Sequence, residues 1–103
     1  MFPHSDLRTA KTRPALVVQA NDLNTGLPQV IVAMITSRMF RANHPSRVLI
    51  ALNSPDGALS GLLANSVVLA DNLATITELA IDRVIGKIST QNVDQALRHT
   101  LGL

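Results

Sequence analysis

The sequence predicts a small, mainly β fold with one C-terminal helix, an α+β domain in which a sheet curls into a barrel and the helix covers an opening. Three observations carry that expectation. Short β-branched runs bounded by turn residues recur along most of the 103 residues. Three of those runs are apolar almost without alternation, which requires both of their faces to be covered. The apolar period turns helical only at the end of the chain.

The elements follow in order. Residues 2–13 are polar and basic without a period and read as a loop. Pro14 opens a first strand over 14–20, a position that suits a residue lacking a backbone donor. A turn cluster over 21–28, with Asn21-Asp22 and Asn24-Thr25-Gly26, leads to a second strand over 29–36, so the two pair as a hairpin. Residues 37–46 form a basic loop, and a third strand covers 47–52. Asn53-Ser54-Pro55-Asp56-Gly57 reads as a turn, and 59–65 bridges it to a strand over 66–70. Shorter strands are expected at 73–77 and 83–88. Thr90 is a candidate N-cap, and Val93, Ala96, Leu97, Thr100 and Leu101 keep helical spacing up to a stop at Gly102.

Composition narrows the function. The length is that of one domain, and a domain this small buries only about two thirds of its unfolded surface. With 47% apolar residues and a mean hydropathy of +0.25, the chain is expected to cover its surplus apolar surface as a homodimer. No apolar run approaches the roughly 20 residues of a membrane helix, and Pro3, His4 and Asp6 do not fit a signal peptide. A cytoplasmic protein is expected. There is no cysteine, so neither a disulfide framework nor a thiolate metal site is available. His4, His44 and His99 are scattered and lack an acid-rich partner segment, which argues against a metal site.

Charge is unevenly placed. Residues 1–47 carry six cations against two anions and residues 48–103 three against five, so the N-terminal part is basic and the remainder acidic. A basic half suits an anionic partner such as a nucleic-acid backbone, although a solvated basic face has the same appearance. Trp and Tyr are absent and the only Phe residues are Phe2 and Phe40, too few for a platform that holds single strands by stacking. Nucleic acid would therefore be held through phosphates and hydrogen bonds.

Four segments, in order, resemble the signature blocks of the MazF/PemK toxin family. Phe2-Pro3-His4-Ser5-Asp6-Leu7 is similar to its Phe-Pro-x-Ser/Thr-Asp-Leu segment, and Lys11-Thr12-Arg13-Pro14-Ala15-Leu16-Val17-Val18 to the Arg-Pro block that enters a strand. Val32-Ala33-Met34-Ile35-Thr36-Ser37 resembles the strand that ends in a Thr-Ser pair. Ser60-Gly61-Leu62 with Asn65 to Asn72 resembles the Gly-Leu…Ser-Val-Val…Asp-Gln block, with Asp71-Asn72 for Asp-Gln and Leu69 where some members have Arg. Arg83-Val84-Ile85-Gly86-Lys87-Ile88 and the final helix match in kind. Family members usually begin with a Gly-Asp-Ile-Val-like strand before the Phe-Pro segment, and the sequence starts after it. A lost first strand would leave a sheet edge uncovered.

The resemblance implies an SH3-like small curled barrel of the MazF/PemK/CcdB type. It also implies a toxin of a type II toxin–antitoxin system that cuts single-stranded mRNA without metal or other cofactor, leaving a 2′,3′-cyclic phosphate and a 5′-hydroxyl. An acidic, disordered antitoxin tail would be its protein partner. Two other functions stay open: a catalytically inactive RNA- or antitoxin-binding module on the same barrel, and a gyrase-poisoning toxin of the same fold.

Cleavage by the ribose 2′-hydroxyl needs a base, an acid and donors for the crowded, charged phosphorane. Arg13, at the Arg-Pro position, is the first candidate because its planar fork can hold two phosphate oxygens, though an arginine before a proline is also ordinary surface. Thr36 is the second, as a hydroxyl on the same phosphate, with Ser37 able to add a hydrogen bond. In a 14–20/29–36 hairpin, Arg13 and Thr36 fall near one another. Asp71 is the third catalytic candidate, weighed for the base: it matches an acidic position implicated in RNA handling in the family, although an Asp-Asn pair after a strand also suits a turn. His4 has the intrinsic pKa of a proton shuttle but does not align with the histidine some members use. His44 and His99 read as surface residues. Arg8 and Lys11 before Arg13, and Arg38 and Arg41 after Thr36, are candidate RNA-backbone contacts.

Overall fold

The computed structural model describes residues 13–19 and 24–103. Its sheet has four antiparallel strands in the order β1-β2-β4-β3, with β1 at Ala15–Val17, β2 at Gln29–Thr36, β3 at Arg47–Ile50 and β4 at Ser66–Thr77. Helix α1 spans Pro55–Ser60 and helix α2 spans Gln91–Leu101; short 3-10 helices lie at Met39–Ala42 and Glu78–Ala80. The curled sheet with a C-terminal helix is the expected fold class.

Beta pairing explains the two-sided apolar runs. Directly opposed residues share a face and neighbours along a strand alternate. Ile35, Val68 and Val48 therefore point to one side, where α2 packs Val93 and Ala96 against Ala33, Val48, Ile50, Val68 and Ala70. On the other side Val32, Val67 and Leu69 are buried as well. A curled sheet covers part of its own second face, so β2 and β4 need apolar residues at successive positions.

The strands expected at 66–70 and 73–77 are one long strand. Ala33 pairs with Leu73 but the next residue, Met34, pairs with Leu69, so Ala70, Asp71 and Asn72 form a bulge in β4. The Asp-Asn pair is accommodated by that bulge rather than by a turn, and the chain continues in the sheet. β1 and β3 are shorter than expected, ending at Val17 and Ile50.

The segment expected as a turn and bridge over 53–65 contains α1. Ser54 caps it, its hydroxyl accepting from Gly57 N at 3.0 Å, Pro55 occupies the first turn, and Gly61 follows in the left-handed conformation. This helix also explains why 83–88 is not a strand. Lys87 N donates to Leu59 O at 3.0 Å, and the Asp56 carboxylate accepts from Ser89 N at 2.8 Å and Ser89 Oγ at 3.0 Å. The backbones approach so closely that a Cβ on Gly86 would lie 2.3 Å from the Ser60 carbonyl oxygen. Segment 83–89 thus pairs its polar groups with α1, not with a neighbouring strand.

The final helix starts and stops where the sequence indicates. Thr90 is its N-cap residue, but the side chain makes no capping hydrogen bond. At the other end Gly102 is left-handed and Leu103 N bonds to Arg98 O at 2.9 Å, a glycine-terminated stop. Beside α2, a largely apolar groove of about 700 Å³ lies between β1 and segment 81–90. Among the described residues, β1 is paired on one side only, with β2.

Candidate functional site

The hairpin register brings the two principal candidates into line. Ala15, the first paired residue of β1, lies opposite Met34, and the same register extended two residues past the strand's start would align Arg13 with Thr36. Arg13 is exposed and Thr36 half-buried. The Thr36 hydroxyl accepts from Arg38 N at 3.2 Å, which leaves its own proton to be donated outward. Ser37 and Arg38 are exposed next to it. A hydroxyl donor and a guanidinium at the end of one hairpin have the chemistry to hold a phosphate.

Arg41 belongs to the Met39–Ala42 helix, where its guanidinium lies 5.8 Å from the centroid of the Phe40 ring. Arg8, Lys11 and His4 lie outside the described residues.

Asp71 sits elsewhere on the same face. The Thr36 row of the sheet runs through Val67 to Leu49, and the row two residues along runs from Met34 through Leu69 to Arg47. Arg47 therefore points to the Thr36 side, and the bulge turns Asp71 toward it. Their contact is two-pronged: Nη2 donates to Oδ2 at 2.9 Å and Nε to Oδ1 at 3.4 Å. A third donor, Nη1, reaches Arg41 O at 3.2 Å and ties the basic loop to the bulge. The Arg47 hydrogen bond, helped by backbone hydrogen bonding and by the charges of Arg47 and His44, holds the Asp71 carboxyl below its usual pKa against a smaller desolvation effect. Two strand spacings and two residue rises separate Thr36 from Arg47, about 12 Å on a flat sheet. The structure engages Asp71 with Arg47, an arginine other than Arg13, on the Thr36 side of the sheet.

Arg47 was not singled out by sequence reasoning, and His44 was read only as a surface residue. Arg47 begins a strand and carries no motif; only its register with the Asp71 bulge gives it a role, and that register needs the fold. His44 is similarly placed by structure. Its Nδ1 accepts from Ser46 N at 3.1 Å and lies 2.6 Å from the hydroxyl of the buried Ser46, so a neutral ring carries its proton on Nε2. The ring meets that of His99 edge-on, with centroids 5.9 Å apart, joining the basic loop to the last turn of α2. Among the described residues no cluster of His, Cys, Asp or Glu could hold a metal ion, and no helix is long and apolar enough to cross a membrane.

The site thus sets a hairpin whose ends carry Arg13-Pro14 and Thr36-Ser37 on a curled four-stranded sheet backed by a C-terminal helix. The chain belongs to the PemK-like, MazF-like toxin family of type II toxin–antitoxin systems, whose profile matches residues 2–101. Among solved structures it is similar to the Mycobacterium tuberculosis toxin MazF-mt6, with 27% identity over 94% of this chain and 91% of that one and a TM-score of 0.72. A second M. tuberculosis toxin is 28% identical over 88% of this chain and 90% of that one, with a TM-score of 0.66. A mycobacterial endoribonuclease solved with its cognate antitoxin shares the fold, at 23% identity over 99% and 90% of the two chains and a TM-score of 0.73. No curated protein sequence matches the chain.

Proposed function

We propose that this protein is a toxin that cleaves single-stranded mRNA by internal transfer, leaving a 2′,3′-cyclic phosphate and a 5′-hydroxyl, with no cofactor. The observation that supports the reading is the β1–β2 register, whose extension past Ala15 would align Arg13 with Thr36, in a member of the MazF-like family. The scissile phosphate sits at the open end of the hairpin. Arg13 presents two parallel N–H donors to its oxygens, and the Thr36 hydroxyl adds a third. These fixed donors favour the phosphorane over the starting diester because charge concentrates there as the 2′-oxygen adds. Arg38, Arg41, Arg8 and Lys11 hold the flanking backbone through salt-sensitive contacts. Arginine stays protonated at neutral pH, so Arg13 serves as donor and charge stabiliser rather than as base.

Two partners accompany this reading. One is a second copy of the chain, supported by large apolar residues that are well exposed, among them Leu63, Leu79 and Val84. The other is an antitoxin with an acidic tail, which would occupy the same arginines as the RNA. Support comes from the family and from a protein of the same fold solved with its antitoxin.

The test is cleavage of a long single-stranded RNA in excess EDTA, with Arg13→Ala alongside. Discrete cuts ending in cyclic phosphate are expected from the wild type, with a roughly 10²–10³-fold slower rate in the variant, the scale for losing a preorganised donor. A wild type that is folded and cuts nothing would remove the enzymatic reading. Cutting that survives Arg13→Ala would move the chemistry elsewhere.

A further inference from the structure

The basic loop and the β4 bulge hold an arrangement that phosphate binding does not explain. A carboxylate on an RNA-facing surface repels the backbone, yet Asp71 is turned onto that face by a bulge, a device that re-aims side chains. Arg47 neutralises it and fixes its plane through two hydrogen bonds. Each Asp71 oxygen accepts once from Arg47, and a carboxylate has about four lone-pair positions, so acceptor capacity remains on both oxygens. The side chain is one-third exposed, leaving those positions accessible. An ionised, oriented acceptor freed of its net charge is suited to reading the edge of a base.

Aromatic surface lies in the same loop. Phe40 is 76% exposed, and the Arg41 guanidinium stands beside its ring. Arg41 is in turn fastened through its carbonyl to Arg47. Rings and guanidinium planes are what unpaired bases stack on. The composition rules out a platform of several rings, but one exposed ring beside one arginine is enough for a single base. The connected series Phe40, Arg41, Arg47, Asp71 therefore offers a stacking face and an oriented acceptor within one short stretch of surface.

We propose that Phe40, Arg41, Arg47 and Asp71 form a nucleobase-reading site for a nucleotide flanking the scissile phosphate, with Asp71 accepting from an exocyclic amino group and Phe40 stacking on the ring. The chemistry favours cytosine over uracil, which share a ring system but present an amino donor and a carbonyl acceptor at the same place. Arg47 is a positioning residue: it fixes the acceptor and does not itself touch the base. This deepens the cleavage reading, because "flanking" is defined by the Arg13–Thr36 phosphate, but the site binds whether or not the bond is cut.

The experiment measures binding of fluorescent 2′-deoxy homopolymers of cytosine and uracil, which cannot be cleaved by internal transfer, to the wild type and three variants. The wild type is expected to bind the cytosine strand about ten-fold more tightly, the low end of what an oriented polar contact discriminates. In Asp71→Asn, Arg47 can only donate and so holds the amide oxygen, which turns the NH₂ outward; the preference is expected to invert toward uracil. Arg47→Met should reduce the preference without inverting it. Phe40→Ala should weaken both strands by a similar factor, about five-fold or more, and keep their ratio. Equal binding of both strands by the wild type, no binding of either, or a cytosine preference that survives Asp71→Asn overturns the proposal. A protein that prefers cytosine in this assay yet cuts nothing in EDTA would lose the enzymatic reading and keep the base-reading site.

Discussion

The two edges of the sheet are finished in opposite ways. At the β3 edge the closing contacts are polar and short-ranged in space: Arg47 joins Asp71 and Arg41, the His44 ring takes Ser46, and Ala70 N bonds Ser46 O at 2.9 Å. At the β1 edge the strand is three residues long and faces a largely apolar groove, across which segment 83–89 is held by α1 and not by a strand. The polar edge presents hydrogen-bonding groups in fixed directions on the Thr36 side of the sheet. At this edge the charged groups lie at its margins, with Arg13 just before β1 and Arg83 and Lys87 on the segment across the groove. The proposed base-reading site and the packing of segment 83–89 thus use opposite edges of the sheet, and substitutions should separate the two.

The largest expected effect among substitutions that test this division is at Gly86. An alanine there would put Cβ 2.3 Å from the Ser60 carbonyl carbon and oxygen and 2.4 Å from Leu59 O, all backbone atoms that cannot rotate away. Segment 83–89 would have to lift from α1, at a cost of about 1–3 kcal/mol and toward the top of that range. Urea denaturation of Gly86→Ala should show a clearly lower midpoint at similar slope. At low denaturant, the cytosine-over-uracil ratio should match the wild type. An unchanged midpoint would mean that α1 does not hold this segment; a lost base preference would mean the edges are not independent.

That division was only partly legible in the sequence. β2 was placed to the residue, because eight consecutive residues of high β-propensity lie between a turn cluster and a polar loop. The ends of α2 were equally legible from Thr90 and Gly102, since a helix stop at glycine is a local backbone property. Helix α1 was hidden because six residues, one of them Pro and one Gly, carry no amphipathic period and form a helix only through Ser54 capping and tertiary packing. A short strand was expected at 83–88, but a strand needs a neighbour, and here backbone groups of the segment bond to Leu59 and Asp56. At the site, the β1–β2 hairpin from which the nearness of Arg13 and Thr36 is expected was readable, because it joins two consecutive strands across one turn cluster. The Arg47–Asp71 pair joins residues 24 positions apart through a bulge, and no local pattern announces a bulge.

A smaller effect is expected where α1 receives the chain from segment 83–89. Asp56 accepts two hydrogen bonds from Ser89 and also lies in the first turn of α1, where a negative charge suits the helix dipole. Asp56→Ala removes both contributions, but the hydrogen bonds are exposed, so the loss should be about 1 kcal/mol. The same denaturation series would measure it. Combining Asp56→Ala with Gly86→Ala should cost less than the sum of the two, because a segment already lifted from α1 has no Ser89 contact left to lose.

The smallest effect separates the stability of the polar edge from its role in binding. Asp71 has a depressed pKa in the folded protein, chiefly through its Arg47 hydrogen bond. In the unfolded chain it titrates near the ordinary value of about 3.9. A group of this kind contributes stability that is fully present above the unfolded pKa and is lost as pH falls through the folded one. The wild type should therefore exceed Asp71→Asn in stability by an amount that is constant from neutral pH down to about pH 5 and disappears below pH 4. Because the pair is partly exposed, that amount should be about 1 kcal/mol or less. Paired thermal unfolding curves at pH 7 and below pH 4 would resolve it, and the informative comparison is with base preference. A change of Asp71 that barely shifts stability yet inverts the choice between cytosine and uracil would show that this ion pair is kept for recognition. A large stability loss with unaltered preference would show instead that it is a strut holding the basic loop to the sheet.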